Sequence, residues 1–383
     1  MKTAIMYGAG KIGRGFIGKI FSDSGYEVCF FDIVQDLVDA LNARGEYPVR
    51  RVSNTQRVDV TVKPVRAVHS LTEAAIDEIA RCDIMATAVG VNELCNIAPV
   101  IARGMVRRME TSGRPLNVIL CENQIGADAM MRDFIYPHLT NAQRAWAEGH
   151  LGLVGAAIGP MVPPVTPELL AEDRLLICME PYSELPVDRD AIRGDVPDLK
   201  GLIPYSPFEF YIKRKLFIHN GGHALCAYLG YEKGYPYIWQ AMADAEICDA
   251  VKASMLTSAR ALASRFGPDR LAGLEAHVAE LMERLQNKAL MDTVARVGAD
   301  PVRKLRRNDR IVGAALFALE QGVDPAPVVR GIVAALRFDQ PGDPTAPLLQ
   351  AALKENGVDH VMQRYMGLRP EEPLYAIVKE ALQ

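Results

Sequence analysis

A short apolar run, Ala4-Ile5-Met6-Tyr7, leads directly into Gly8-Ala9-Gly10-Lys11-Ile12-Gly13-Arg14-Gly15. Phe16, Ile17, Ile20 and Phe21 then recur at helical spacing until Gly25, and Val28-Cys29-Phe30-Phe31 forms a second apolar run closed by Asp32. Strand, glycine turn, helix, strand and terminal acid in that order constrain the fold to a parallel βαβ unit with a tight first crossover. Gly8 permits the tight turn, Gly10 lets the backbone approach a pyrophosphate, and Gly13 lets helix and strand pack closely. The N–H groups at the helix start carry a partial positive charge suited to phosphate. Asp32 stands nineteen residues beyond Gly13, placed to accept hydrogen bonds from the adenosine ribose hydroxyls. A carboxylate there repels a 2′-phosphate, and Ile33-Val34 supplies no arginine to receive one. The expected dinucleotide is NAD rather than NADP. The plainer alternative is a glycine turn that only packs a βαβ unit.

With 383 residues the chain is too long for one simple core, so two domains are expected. The first, 1–200, reads as an α/β Rossmann-type NAD-binding domain, and the second, 201–383, as an all-α domain. In the first, valines at mostly even spacing from Tyr47 to Val68 predict a hairpin-type insertion. Asp83 to Val89 reads as a buried strand that brings Ala88, Val89 and Gly90 to the cofactor edge of a doubly wound sheet. Leu116 to Cys121 reads as another, delivering Glu122 and Asn123 to the same edge, where the asparagine is a turn residue or a polar contact for ligand. Pro99 to Met109 predicts a helix with the proline in its first turn, and Val154–Ile158 and Leu175–Glu180 are further strand candidates. After Pro207 the pattern is helical almost throughout. The candidates are 208–229, 237–265, 270–286, 288–297, 310–321, 326–337, 345–355, 357–365 and 372–382.

A net charge of −4 gives no reason to expect a nucleic-acid partner or a basic membrane patch. The seven cysteines are scattered without a CxxC pair, which speaks against a zinc site or a disulfide framework and for a reducing compartment. No segment has the form of a signal peptide, and the longest uncharged stretch, Leu151 to Pro167, is broken by Gly159-Pro160 and Pro163-Pro164. A cytoplasmic location is expected.

The chemistry concentrates in Lys215-Leu-Phe-Ile-His-Asn220-Gly-Gly-His223, within an apolar and aromatic helix. A lysine, a carboxamide and an imidazole are costly to bury unless paired or needed. On a regular α-helix Asn220 and His223 lie about 140° and 80° around from Lys215, within one broad face. The alternative is a core helix with a snorkelling lysine and a satisfied histidine. Oxidation of an alcohol needs a base for the hydroxyl proton and donors for the developing oxyanion. A neutral Lys215 can be the base, Asn220 and Asn123 can donate to the oxygen, and His223 can bond a neighbouring hydroxyl.

Gly8-Ala-Gly10-Lys-Ile-Gly13-Arg14-Gly15-Phe-Ile-Gly18, Thr87-Ala-Val-Gly90, Cys121-Glu-Asn123 and Lys215-Leu-Phe-x-x-Asn220-x-Gly-His223 resemble the mannitol dehydrogenase-like polyol-specific long-chain dehydrogenases. The likeness continues in Asp292-x-Val-x-Arg296 and Pro301-x-Arg303-Lys304-Leu305 and covers nearly the full chain. The resemblance implies a Rossmann-type domain followed by a helical domain, with Lys215 as catalytic base. It further implies an oxyanion site of Asn220 and Asn123, with His223, Arg296 and Lys304 holding the polyol. The implied reaction interconverts D-mannitol 1-phosphate and D-fructose 6-phosphate with NAD and needs no metal. Arg14, Arg303, Lys304, Arg306 and Arg307 are the basic candidates for the substrate phosphate, arginine through its bidentate geometry; surface ion pairs are the commoner reading for Arg306 and Arg307, and the cofactor is the alternative for Arg14 beside the pyrophosphate turn. Where the family carries an Asp-Arg pair, this sequence has Gly159-Pro160, so a different polyol, a sugar acid, or a non-catalytic NAD-binding sensor stand as alternatives.

Overall fold

The computed structural model describes residues 1–162 and 166–383. They divide into two compact units, Met1–Glu209 and Phe210–Gln383. The strands, all in the first unit, are β1 (Thr3–Tyr7), β2 (Glu27–Asp32), β3 (Tyr47–Val52), β4 (Arg57–Val62), β5 (Val65–His69), β6 (Ile84–Thr87), β7 (Leu116–Leu120), β8 (Leu151–Gly155), β9 (Ile177–Met179), β10 (Leu185–Asp188) and β11 (Leu202–Tyr205).

A six-stranded parallel sheet in the order β5-β2-β1-β6-β7-β8 forms the first unit's framework. Its strands are near-continuous apolar runs because both faces are covered. Side chains alternate along each strand, so Ala4 and Met6 of β1 enter one core while Ile5 and Tyr7 enter the other. Val28 and Phe30 of β2 divide from Cys29 and Phe31 in the same way. The order reverses beside β1, which places the carboxyl ends of β1, β2 and β6 around the switch point where doubly wound sheets bind ligands.

Several elements depart from the sequence reading. The valine-rich stretch is split: β3 and β4 form the expected antiparallel hairpin, but β5 runs parallel to β2 as the edge of the main sheet. Even valine spacing cannot tell a hairpin arm from a sheet edge, because both need one buried face. The Leu175–Glu180 candidate contributes β9, which pairs with β3 outside the main sheet. The helix expected from Pro99 spans Leu94–Glu110, so the proline lies inside it rather than in its first turn. A helix at Glu73–Arg81 carries no mark in the sequence reading. Its C-terminal carbonyls are closed by Arg108, 1% exposed, which donates to Ile79, Ala80 and Cys82 and also to Arg114 and Pro115. β11 pairs in parallel with β10 and so groups with the first unit, Met1–Glu209.

The second unit is helical and is built around Gly221–Glu232, whose residues from Ala224 to Gly230 are all buried. Glycines let neighbours approach. A Cβ at Gly222 would meet Met255 of the Ala245–Phe266 helix at 2.2 Å, and one at Gly230 would meet Ala241 at 2.9 Å. Helices Val294–Gly298 and Ala326–Leu336 pack on the same central rod. The two helices expected at 345–355 and 357–365 are both present within 346–364, separated by Gly357, whose φ of +79 and ψ of 172 are non-helical. No helix among the described residues is long and apolar enough to cross a membrane.

Candidate active site

In the first unit the glycine turn has the shape its spacing requires. Gly8 has φ +98, and a Cβ on Gly13 would fall 1.9 Å from the Gly8 carbonyl oxygen. Gly10 is the reverse case: a Cβ there would meet nothing within 4 Å, so its outer face is open to a large group. Asp32, at the end of β2, accepts from Ala9 N at 2.9 Å and from Val34 N at 3.0 Å. A carboxylate offers about four acceptor positions, which leaves capacity for ribose hydroxyls. The residues present therefore fit a dinucleotide with unphosphorylated ribose. The segment Gly13–Ile17 is a π-helical stretch rather than the regular helix expected, with Gly13, Arg14 and Gly15 buried.

Arg14 is not available to a substrate phosphate. It is 8% exposed, and its guanidinium donates to the carbonyls of Ala9 and Leu175, both at 2.7 Å. Its work is to brace the glycine turn from behind. The sequence could not show this because the partners are main-chain carbonyls, one of them distant in the chain.

At the carboxyl edge, Gly90 has φ +97 and follows Ala88 and Val89 at the end of β6. Glu122, expected at this edge but given no role there, is 6% exposed and accepts from Thr87 Oγ1 at 2.7 Å and Val89 N at 3.1 Å. Burial pushes its carboxyl pKa up, while these hydrogen bonds pull the other way. Glu122 thus joins the ends of β6 and β7, and Asn123 follows it directly. Gly159 packs against Tyr182, whose hydroxyl oxygen lies 2.6 Å from where a Cβ would stand. An acid at 159 would need that ring to move. Pro163 and Pro164 of the same segment lie outside the described residues.

In the second unit the lysine stretch is not a regular α-helix. Arg214–Asn220 is π-helical, and Gly221 N donates to the carbonyl of Leu216, five residues back. In a π turn, with about 4.4 residues per turn, residues five apart lie about 50° apart around the axis, instead of about 140° as on an α-helix. Asn220 therefore follows Lys215 along one side. His223 is three residues further on, a neighbour of Asn220 on the regular helix that begins at Gly221. The broad face expected from sequence is a narrow row. Gly221 has a steric reason to be glycine, since a Cβ would lie 2.8 Å from the Arg310 carbonyl oxygen. Lys215 and Asn220 are half-buried. His219, inside the π segment, is 7% exposed and is held far below the usual imidazole pKa by burial, then by Arg284, His223, Lys215 and His277.

His223 Nε2 lies 3.2 Å from Asp292 Oδ2, a close polar contact outside regular hydrogen-bond geometry. Arg296 grips the same carboxylate through Nε at 2.7 Å and Nη2 at 2.6 Å. Lys304 ends the short helix Pro301–Lys304 and is 5% exposed. Its ammonium makes no ion pair among the described residues. Burial, then Arg310 and Arg303, lower its pKa to about 7. Arg303 is largely engaged with Asp300 at 2.7 Å and Asp309 at 3.6 Å, and Arg307 is held by Glu372 at 2.7 Å. The basic cluster thus sorts itself: Arg307 is structural, Arg303 is mostly neutralised, and Lys304 is a buried cation without a counter-ion.

A dinucleotide turn on a doubly wound sheet, followed by a helical unit carrying a lysine–asparagine–histidine row, defines the class of two-domain dehydrogenases. The chain belongs to the mannitol dehydrogenase family. Residues 2–201 match the mannitol dehydrogenase Rossmann domain and residues 208–370 the mannitol dehydrogenase C-terminal domain. A mannitol-1-phosphate 5-dehydrogenase of Brevibacillus brevis is 39% identical over 98% of this chain and 96% of its own. One of Anoxybacillus flavithermus is 37% identical over 99% of each chain. Among solved structures, Pseudomonas fluorescens mannitol 2-dehydrogenase in ternary complex with NAD and D-mannitol aligns with TM-score 0.73 at 16% identity, over 100% of this chain and 91% of its own. A D-sorbitol dehydrogenase in substrate-free form aligns with TM-score 0.72 at 14% identity, over 87% of this chain and 79% of its own.

Proposed function

We propose that the protein is an NAD-dependent dehydrogenase interconverting D-mannitol 1-phosphate and D-fructose 6-phosphate, with Lys215 as general base. The observation that carries the reading is the π-helical row of Lys215, Asn220 and His223 in a chain whose two domains both match the mannitol dehydrogenase family. The substrate comes from the names of two relatives at 39% and 37% identity.

In oxidation the neutral Lys215 amine takes the proton of the carbinol hydroxyl while the carbinol carbon gives up a hydride. NAD supplies the acceptor for that hydride, and Gly8, Gly10, Gly13 and Asp32 would hold it. Asn220 donates to the oxygen as negative charge develops, and Asn123 is the first unit's candidate for the same task. His223 and Arg296 bond the polyol chain, and Lys304 supplies positive charge toward the substrate. In reduction Lys215, now an ammonium, returns the proton to the carbonyl oxygen.

The test follows NADH absorbance with hexitols, their 1-phosphates, ketose phosphates and aldonates. Turnover fastest with D-mannitol 1-phosphate and D-fructose 6-phosphate is expected. Faster turnover of another polyol or of an aldonate would replace the substrate. NADH binding with no turnover of any compound would favour a sensor.

A further inference from the structure

We infer that Asp292 is a positioning residue that sets His223 and Arg296 together for the substrate, an inference that rests on the proposed function. No substrate role follows for Asp292 from the sequence pattern. What singles it out is that one buried carboxylate faces two groups assigned to the same ligand.

Three observations separate it from an ordinary surface ion pair. First, the carboxylate is fixed from behind. Asp292 is 7% exposed, and its carbonyl accepts from Ile238 N at 2.9 Å. On its other side Val294 N donates to the Pro236 carbonyl at 3.0 Å, and Thr293 pairs with Tyr237. The acid is held by main chain before its side chain meets anything.

Second, the two partners are unlike in exposure. The Arg296 side chain is 59% exposed, whereas that of Asp292 is 9% exposed. An exposed arginine ordinarily samples many rotamers. Here its Nε and Nη2 edge is spent on the carboxylate in a bidentate fork, which fixes the guanidinium plane and turns Nη1 outward. The Thr293 hydroxyl caps the following helix by accepting from Arg296 N at 3.2 Å, so backbone and side chain of Arg296 are anchored by adjacent residues.

Third, the same Oδ2 that Arg296 Nη2 meets is the atom nearest His223 Nε2. The imidazole edge and the guanidinium therefore meet at one oxygen of the carboxylate. Burial raises the acid's pKa, but His223 and Arg296 outweigh it and keep the carboxyl below the usual range. Its two partners thus favour the anionic form that both groups face. With Nε2 turned to Asp292, Nδ1 is the imidazole atom left for other partners.

The test uses the purified full-length protein, NAD and whichever polyol phosphate the wild type turns over. Asp292→Asn keeps the shape and removes the charge. It should raise the substrate KM by about tenfold or more, with kcat within roughly threefold, as expected for loss of a charged hydrogen bond that acts through binding. The NADH dissociation constant, read by fluorescence, should not move. Because Asp292 acts through Arg296, combining Asp292→Asn with Arg296→Ala should give a KM close to that of the worse single variant. An unchanged KM, or single-variant effects that multiply in the double, would overturn the inference. So would a joint fall in kcat, substrate affinity and NADH affinity, or failure of Asp292→Asn to fold where Arg296→Ala folds, since either marks a purely structural acid. Wild-type turnover judges the proposed function separately; a wild type inactive on every polyol phosphate removes both.

Discussion

Lys304 offers the sharpest quantitative test, because it is a buried amine that makes no ion pair among the described residues. Its pKa falls from 10.5 to about 7, first through burial and then through Arg310 and Arg303. At 1.36 kcal/mol per unit this is at most about 5 kcal/mol of penalty on holding the charged form. The sign follows from proton counting. Between pH 7 and 10.5 the unfolded chain keeps this proton while the folded chain has released it, so Lys304 makes stability rise with pH across that window. Below pH 7 the folded protein carries the buried charge and bears the full penalty. Lys304→Met keeps the volume and removes the charge, so it should stabilise the protein by about 1–4 kcal/mol at pH 6. Thermal melts of both proteins from pH 6 to pH 10 measure this. The Met variant's advantage should be largest at pH 6 and fade toward pH 10. Binding should move the opposite way. The substrate KM of the wild type should climb above pH 7 as the ammonium is lost, and the KM of Lys304→Met should be higher and flat. A Met variant that is less stable at pH 6, or an advantage that grows with pH, would refute the reasoning.

Two further substitutions test the framework. Gly13→Ala puts a methyl 1.9 Å from the Gly8 carbonyl, a backbone atom that cannot step aside, so NADH binding by fluorescence titration should weaken by at least tenfold; near-native affinity would contradict the glycine assignment. Arg108→Met leaves the carbonyls of Ile79, Ala80, Cys82, Arg114 and Pro115 without their donor and should cost about 2–4 kcal/mol in urea unfolding, with m unchanged; a cost under 1 kcal/mol would contradict it.

The dinucleotide turn was legible because its constraints are local: Gly8, Gly10 and Gly13 lie within six residues, and Asp32 is one βα unit away. The helical second half was legible for the same reason, since helical periodicity and glycine or proline stops are short-range signals. What escaped needs partners distant in the chain. The valines of β5 look like those of the β3–β4 hairpin, and only pairing with β2 sets them apart. Arg14 looked free for phosphate, yet the Leu175 carbonyl claims it. The π register at Arg214–Asn220 has no composition of its own, and the Gly221 that follows it is explained by the distant Arg310 carbonyl. Asp292 and Arg296 stood in the sequence at a spacing of four, a cue to an ion pair but not to the histidine on the other side of the acid.

The most direct measurement is steady-state oxidation of D-mannitol 1-phosphate by wild type and Lys215→Ala, alongside NADH titration of each. Wild-type protein should turn over D-mannitol 1-phosphate. The variant should bind NADH with unchanged affinity and lose at least a hundredfold in kcat, the scale of a missing general base. A Lys215→Ala protein that retains kcat within a few-fold of wild type would contradict the lysine mechanism outright.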